Sequence, residues 1–383
     1  MSKTYDEINE KIKNSKAIVV TAEEIVDIVK EKGLEETAKL VDVVTTATFG
    51  PMCSTGAFLN FGHATPGIRM EKTYLNKVEA YSGLAAVDSY IGASQESIIK
   101  GKEYGGAHVI CDLIDGKEIE LEATSNGTDC YPRKEIKTKI KLKDLNEAYL
   151  FNPRNVYQNY SAAINSSNKP IYTYMGKLKE NYGNITFSTS GELSPLINDP
   201  YYRTIGIGTR IFIGGAQGYV SWQGTQFNSS VKRDENGIPL IPGGTLAVVG
   251  DLKDMNTKYI KASVFKNYGV TMFMGIGIPI PILDEEMLKQ VSIENKDIFT
   301  NIIDYSVSDR EKPVIKKVSY LELGSGEVEI NGKIIKAKRL TSLEKSREIA
   351  EELKKQIKDG EFFIQKPIQL FETNGIVKSL KHD

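Results

Sequence analysis

Short runs of β-branched and aromatic residues, broken every few positions by glycine, fill Ile205 to Phe227 and Leu240 to Val249, and continue with prolines through Tyr259 to Ile282. Such stretches hold too much glycine for stable helices and too much apolar surface for solvated loops, so they predict strands and tight turns. The two ends of the chain read differently. Thr4 to Lys13 is a short amphipathic helix, Ala17 to Val20 an apolar strand, and Thr21-Ala-Glu-Glu24 a capping box opening a helix that Gly33 stops. Glu35 to Leu40 is a further short helix leading into the β-branched strand Val41 to Thr46. Near the other end, the hairpin Val328-Glu-Ile-Asn-Gly-Lys-Ile-Ile precedes a capping box, Thr341-Ser-Leu-Glu344, whose helix runs to Gly360. The fold class expected is mixed α/β (α+β), with a strand-rich, glycine-dense core and flanking helices at the N- and C-termini. Residues 1–340 are expected to form one catalytic domain, with 341–383 a C-terminal helix and tail packed on the same unit.

Between Gly62 and Gly127 the apolar runs are short. Gly83 to Val87 and Ala107 to Leu113 suggest closely packed strands and turns, which places His108 and Cys111 inside a core strand. Glu118 to Ala123 alternates like a half-buried strand, Ser125 to Pro132 is a turn-rich loop, and Lys134 to Leu142 alternates again.

Charge excludes some partners. With 49 basic and 50 acidic residues the formal net charge is -1, so no global field gathers nucleic acid or an anionic membrane. The polar N-terminus lacks the apolar core of a signal peptide and no stretch is apolar for the roughly 18 residues of a membrane span, so a cytoplasmic location is expected. Three cysteines in 383 residues exclude a disulfide framework, and each has to be judged singly.

A reactive cysteine needs access and an electropositive setting that favours the thiolate. Cys130 lies in a polar turn followed by Tyr131, Pro132, Arg133 and Lys134; its plainer reading is a solvated loop cysteine. Cys53 sits in Phe49-Gly-Pro-Met-Cys53-Ser-Thr-Gly56, where glycines let backbone approach a ligand and free N–H groups can form an anion nest, or where a small residue simply completes a turn. Cys111 reads as a buried small hydrophobe. Of the three histidines, His63 in a glycine-rich loop is the one available as a general acid, His382 being terminal. The spacing of Cys53, His63, Cys111 and Cys130 lacks any C-x-x-C knuckle and argues against zinc, and no closely spaced thiolate run suggests an iron–sulfur cluster. No G-x-G-x-x-G turn or P-loop indicates a nucleotide. Arg203 and Arg210 flank the cluster Gly206-Ile-Gly208 and could clamp a carboxylate bidentately, although surface ion pairs are the commoner fate of arginine.

The stretches Val44 to Phe58 around Cys53, Asn60-Phe-Gly-His63 and Thr124-Ser-Asn-Gly-Thr-Asp-Cys130-Tyr-Pro-Arg133 resemble the homocysteine biosynthesis family of anaerobic archaea and some bacteria. The likeness continues through Gly214-Gly-Ala-Gln-Gly-Tyr219 to about Gly250. The resemblance implies an L-aspartate semialdehyde sulfurtransferase activity, in which the aldehyde, sulfide-level sulfur and two electrons yield homocysteine. It implies Cys130 as the sulfur-carrying residue, as a persulfide, and Cys53 as a second functional cysteine; the chemistry then suggests that Cys53 resolves the sulfur–sulfur bond as a Cys53–Cys130 disulfide, which an external donor reduces. His63 would protonate the departing oxygen, and Arg210, with Arg203 and Arg133 as the other candidates, would hold the α-carboxylate. Some family members carry nucleotide-sensing or ferredoxin modules that this sequence lacks, so the expectation is no cofactor on this chain and electrons from a separate ferredoxin-like iron–sulfur protein. Sulfide or a persulfide donor supplies the sulfur, and a homodimer is expected on base rate. The competing readings are a cysteine-dependent acyl or thiol transferase, and a carrier that binds sulfur or metal and hands it to a partner enzyme.

Overall fold

The computed structural model describes residues 2–373 and 377–381, so His382 lies outside the described residues. Ten strands build the main sheet: β1 (Val19–Thr21), β2 (Val43–Pro51), β3 (Gly56–Asn60), β4 (Asp88–Gly92), β5 (Glu147–Asn155), β6 (Arg210–Ile213), β7 (Ala216–Gln223), β8 (Leu246–Asp251), β9 (Ile260–Phe265) and β10 (Gly269–Pro281). Their order is β1-β2-β10-β6-β7-β8-β5-β3-β4, and β9 pairs with the first half of β10. Only β1 and β2 run parallel; the other pairings in this sheet are antiparallel. The glycine-rich central region is therefore strand, as its composition predicts, and the fold is mixed α/β.

Glycine has a packing reason here. β2 is buried from Val43 to Gly50, and the C-terminal helix Leu343–Lys358 lies across β2 and β10. A Cβ on Gly275 would sit 2.5 Å from Ile349 Cδ1, and one on Gly277 would sit 3.2 Å from Leu353 Cδ2. Their absence lets the helix settle onto the strands, where Thr45 Oγ1 donates to the Ala350 carbonyl (2.9 Å) and the Phe49 N–H donates to Ser346 Oγ (3.1 Å). At the start of β3, a Cβ on Gly56 would meet the Tyr90 hydroxyl at 2.2 Å and the Ile91 carbonyl at 2.8 Å, so only glycine lets β4 close against it.

Two six-stranded sheets flank this one. The first, antiparallel throughout, includes Lys72–Leu75, Ile119–Thr124 and Glu135–Ile140, and shares the main hydrophobic core. The second includes Ala162–Ile164, Ile185–Phe187, Phe299–Asp304 and Lys333–Arg339, mixes parallel and antiparallel pairs, and covers its own smaller core.

Three local expectations change. Ala107 to Leu113 is not a strand: Gly106–Ile114 is a helix that buries Ala107, Val109, Ile110 and Leu113 and leaves Cys111 half-buried on its flank. The run is apolar enough to read either way, and three- and four-residue burial spacing decides for helix. Gly83 to Val87 is turn rather than strand. The C-terminal helix is capped by Ser342, whose side chain accepts from the Lys345 N–H, and not by Thr341, which bonds Ser188 instead (2.8 Å). Among the described residues no helix is long and apolar enough to cross a membrane.

Candidate functional site

β2 ends at Pro51, and Met52 to Thr55 turn sharply into β3, the Thr55 N–H and Oγ1 both donating to the Met52 carbonyl (3.2 and 2.7 Å). Cys53 stands on this turn. A buried amide clamps it to the end of β5: Asn152 Oδ1 accepts from Ser54 Oγ (3.1 Å) and from the Arg154 N–H (2.8 Å), while Asn152 Nδ2 donates to Thr55 Oγ1 (2.8 Å). The pairing of β5 with β8 slips between Asn152 and Asn155, and this bulge re-aims Arg154 out of the ladder.

Cys53 and Arg154 open into a cavity of about 340 Å³. Tyr157, Tyr160, Tyr174 and Tyr268 form much of its wall, with Met175 from the turn of a two-stranded hairpin (Ile171–Thr173 and Gly176–Leu178), Ser188 from just past a strand of the second six-stranded sheet, and Thr341 from two residues before the C-terminal helix. The tyrosines are coupled. Tyr160 donates to the Tyr174 hydroxyl (3.0 Å), which lies 3.0 Å from the Tyr305 hydroxyl, and the Tyr174 and Tyr268 rings meet edge to face at 6.3 Å. Burial pushes the Tyr157 and Tyr268 hydroxyls up to about 12, and pushes Tyr160 and Tyr305 up as well, so all four stay protonated at neutral pH.

Burial also raises the Cys53 thiol, and its own backbone N–H, the Arg154 guanidinium and the Tyr268 hydroxyl only partly offset this. The resting group is a thiol, held beside one cation and one phenolic donor. Such a pocket suits a small anionic electrophile: the cation attracts it, the tyrosines exclude water, and Tyr268 can donate to an oxygen that gains charge.

The Cys130 loop is a different place. Cys130 is fully accessible, Tyr131 stacks on His63 (centroids 5.9 Å apart), and Arg133 donates from Nε to the Pro66 carbonyl (3.0 Å) and from Nη2 to the Thr65 carbonyl (2.9 Å). Cys130, His63 and Arg133 are thus brought together, but beyond Asn60, whereas Cys53 precedes Gly56. β3 lies between them and advances roughly 14 Å over its length. Disulfide formation needs Cα atoms within about 7 Å, so the two cysteines of one chain are not paired in this arrangement.

The other two arginines are engaged elsewhere. Arg203 forks onto Asp284 (3.1 and 2.6 Å), and Arg210 reaches the Phe363 carbonyl (3.4 Å). Neither lines the cavity, nor do His63, Cys130 and Arg133. Burial drives the Cys111 thiol up to about 12. Among the described residues no three His, Cys, Asp or Glu side chains are grouped to hold a metal ion. Sequence reasoning missed Arg154 and the tyrosine wall. The available signal was Asn152-Pro-Arg-Asn-Val-Tyr-Gln-Asn-Tyr160, an amide-rich stretch closing an apolar strand.

Comparison with known proteins identifies the family. The family described as homocysteine biosynthesis enzyme, sulfur-incorporation, matches residues 17–364, and the chain belongs to it. A protein of Methanosarcina acetivorans named L-aspartate semialdehyde sulfurtransferase is 53% identical over 381 residues, covering 100% of this chain and 74% of the relative. One of the same name from Methanocaldococcus jannaschii is 50% identical over 377 residues, covering 94% of this chain and 72% of the relative. An uncharacterised protein of Methanothermobacter thermautotrophicus is 32% identical over 342 residues, 86% of this chain and 73% of its own. No solved structure matches.

Proposed function

We propose that this member of the homocysteine biosynthesis family is an L-aspartate semialdehyde sulfurtransferase, and that carbon and sulfur meet in the cavity around Cys53. The observation that carries this reading is the convergence of a cysteine, a cation and a phenolic donor in one tyrosine-walled pocket. The two curated relatives of the same name, similar over nearly the whole chain, support the reaction.

In this reading a persulfide on Cys53 adds its terminal sulfur to the aldehyde carbon. The C–S bond forms, the carbonyl π electrons move to oxygen, and Tyr268 supplies the proton. The adduct is a hydroxyalkyl disulfide, still at the aldehyde oxidation level. Two electrons and two protons split its S–S bond, restoring Cys53 and freeing a thiohemiacetal; loss of water and two further electrons and two protons give the thiol. The outer sulfur arrives already at the persulfide level from a polysulfide or persulfide donor, whose remaining sulfur leaves as hydrosulfide or thiolate, so the demand from that point is four electrons. A separate ferredoxin-like iron–sulfur protein fits the role of donor. Cys130, accessible on its loop, takes the outward role of exchanging sulfur or electrons with a partner. The assignment of sulfur carriage to Cys130 alone and of proton donation to His63 gives way here to Cys53 and Tyr268, because those two face the cavity.

Anaerobic incubation of polysulfide-loaded protein with L-aspartate semialdehyde, followed by a strong reductant, tests this. Wild type is expected to form homocysteine and Cys53→Ser none. Cys130→Ser is expected to transfer sulfur once from polysulfide-loaded protein and then to turn over poorly. Undiminished product from Cys53→Ser would overturn the reading.

A further inference from the structure

We propose that Arg154 is the specificity-determining anchor of the Cys53 cavity, and that it selects the substrate by its carboxylate rather than by its ammonium group. The substrate class is then a four-carbon carboxylate with an aldehyde at its far end. The inference deepens the sulfurtransferase reading and rests on it for the reacting aldehyde.

Among the described residues lining the cavity, Arg154 is the one that carries a full charge; no Asp, Glu, Lys or His accompanies it. Its Nε donates to Thr225 Oγ1 (3.0 Å), and no carboxylate among the described residues forms an ion pair with it. The contrast with Arg203, whose fork is filled by Asp284, and Arg133, whose fork is filled by carbonyls, is direct. The guanidinium also donates a hydrogen bond to the neutral Tyr157 hydroxyl, and a carboxylate can replace that contact with two parallel hydrogen bonds along the terminal edge. A substrate ammonium finds no carboxylate here and can rest only on tyrosine faces and hydroxyls, a weaker and less directional contact.

Position adds a length criterion. Asn152 Oδ1 holds both Ser54, next to Cys53, and the Arg154 backbone, so one buried amide fixes the anchor relative to the sulfur. An aldehyde two carbons away from its carboxylate can span that fixed interval whether or not it carries an amino group.

Binding can be read apart from turnover by following alkylation of Cys53 with iodoacetamide in the full-length protein. The ratio of protected to unprotected rate is taken within each variant, so that any change in thiol reactivity cancels. L-Homoserine and 4-hydroxybutyrate keep the carboxylate and lack the aldehyde; 3-amino-1-propanol keeps the amine and lacks the carboxylate. The first two are expected to protect wild-type Cys53 and the third is not. Arg154→Gln should weaken that protection about 10- to 100-fold, and Arg154→Lys, which keeps the charge and loses the fork, by less. In turnover, succinate semialdehyde should be converted to its thiol by wild type, and 3-aminopropanal should not. Equal protection by 3-amino-1-propanol, no protection of wild type by either carboxylate, or protection unchanged in Arg154→Gln would overturn the proposal. Carboxylate-dependent protection in a protein that forms no thiol would uphold the anchor while removing the sulfurtransferase reading.

Discussion

The turn bearing Cys53 and the loop bearing Cys130 flank the same short strand, yet they are built on opposite principles. Around Cys53 the framework is held by its own polar groups: Asn152 ties the turn to β5, tyrosine hydroxyls chain to one another, and burial holds the thiol protonated. Around Cys130 the sulfur is exposed and the loop is held to its neighbour by Arg133 and the Tyr131–His63 stack. Enclosure suits a step in which water would hydrolyse or quench an intermediate, and exposure suits exchange with another protein. The division of labour proposed for the two cysteines follows from this difference.

The sharpest way to break the comparison is to remove the phenolic donor. Tyr268→Phe is expected to lower kcat about 100-fold while Cys53 alkylation stays within a few-fold of wild type; His63→Ala should leave kcat nearly unchanged. The reverse pattern would move the acid to the Cys130 loop.

Loosening the clamp is expected to act next most strongly. Asn152→Ala strands the hydroxyls of Ser54 and Thr55 and the Arg154 N–H, and should lower unfolding free energy by about 2 kcal/mol in denaturant titration. An effect below a few tenths would show that the turn holds itself.

Reactivity at different pH values sharpens the contrast further. Only thiolate alkylates, and the Cys53 pKa is raised, so its rate should climb about tenfold per pH unit through the neutral and mildly alkaline range and level off only above the ordinary thiol value. At neutral pH peptide mapping should find exposed Cys130 labelled before Cys53, and Cys111, pushed up to about 12, labelled last. The smallest effect belongs to the loop: Arg133→Ala should cost about 1 kcal/mol and quicken proteolysis near Thr65 and Pro66 without altering Cys53 alkylation.

Much of the molecule's outline was legible in residue order, and the reasons for the rest are specific. Glycine among β-branched residues marks β6 to β10 because a Cβ at Gly275 would collide with Ile349, and one at Gly277 would crowd Leu353, where the helix packs on the strands. The Cys53 turn announced itself through Gly50, Pro51 and Gly56. The cavity did not, since Arg154, Tyr174, Tyr268 and Thr341 are scattered along the chain and converge only when β5, the two-stranded hairpin, the second six-stranded sheet and β10 are assembled. Arg210 and Arg203 were attractive because they flank glycines, but neighbouring glycines say nothing of whether a carboxylate such as Asp284 already fills the fork. Ala107 to Leu113 misled for a simpler reason: a seven-residue apolar run satisfies both periods, and the helix is favoured by packing against β3, β4 and β9 that a local reading does not contain.

The most direct test of the central claim is to load the protein anaerobically with polysulfide, map extra sulfur on each cysteine by mass spectrometry, and repeat the map after adding L-aspartate semialdehyde without reductant. The account predicts extra sulfur on Cys53 that gains the mass of the aldehyde when the aldehyde is added and leaves Cys53 only once reductant follows, with the same sequence of changes in Cys130→Ser. Extra sulfur consumed from Cys130 while Cys53 stays unmodified throughout would contradict it.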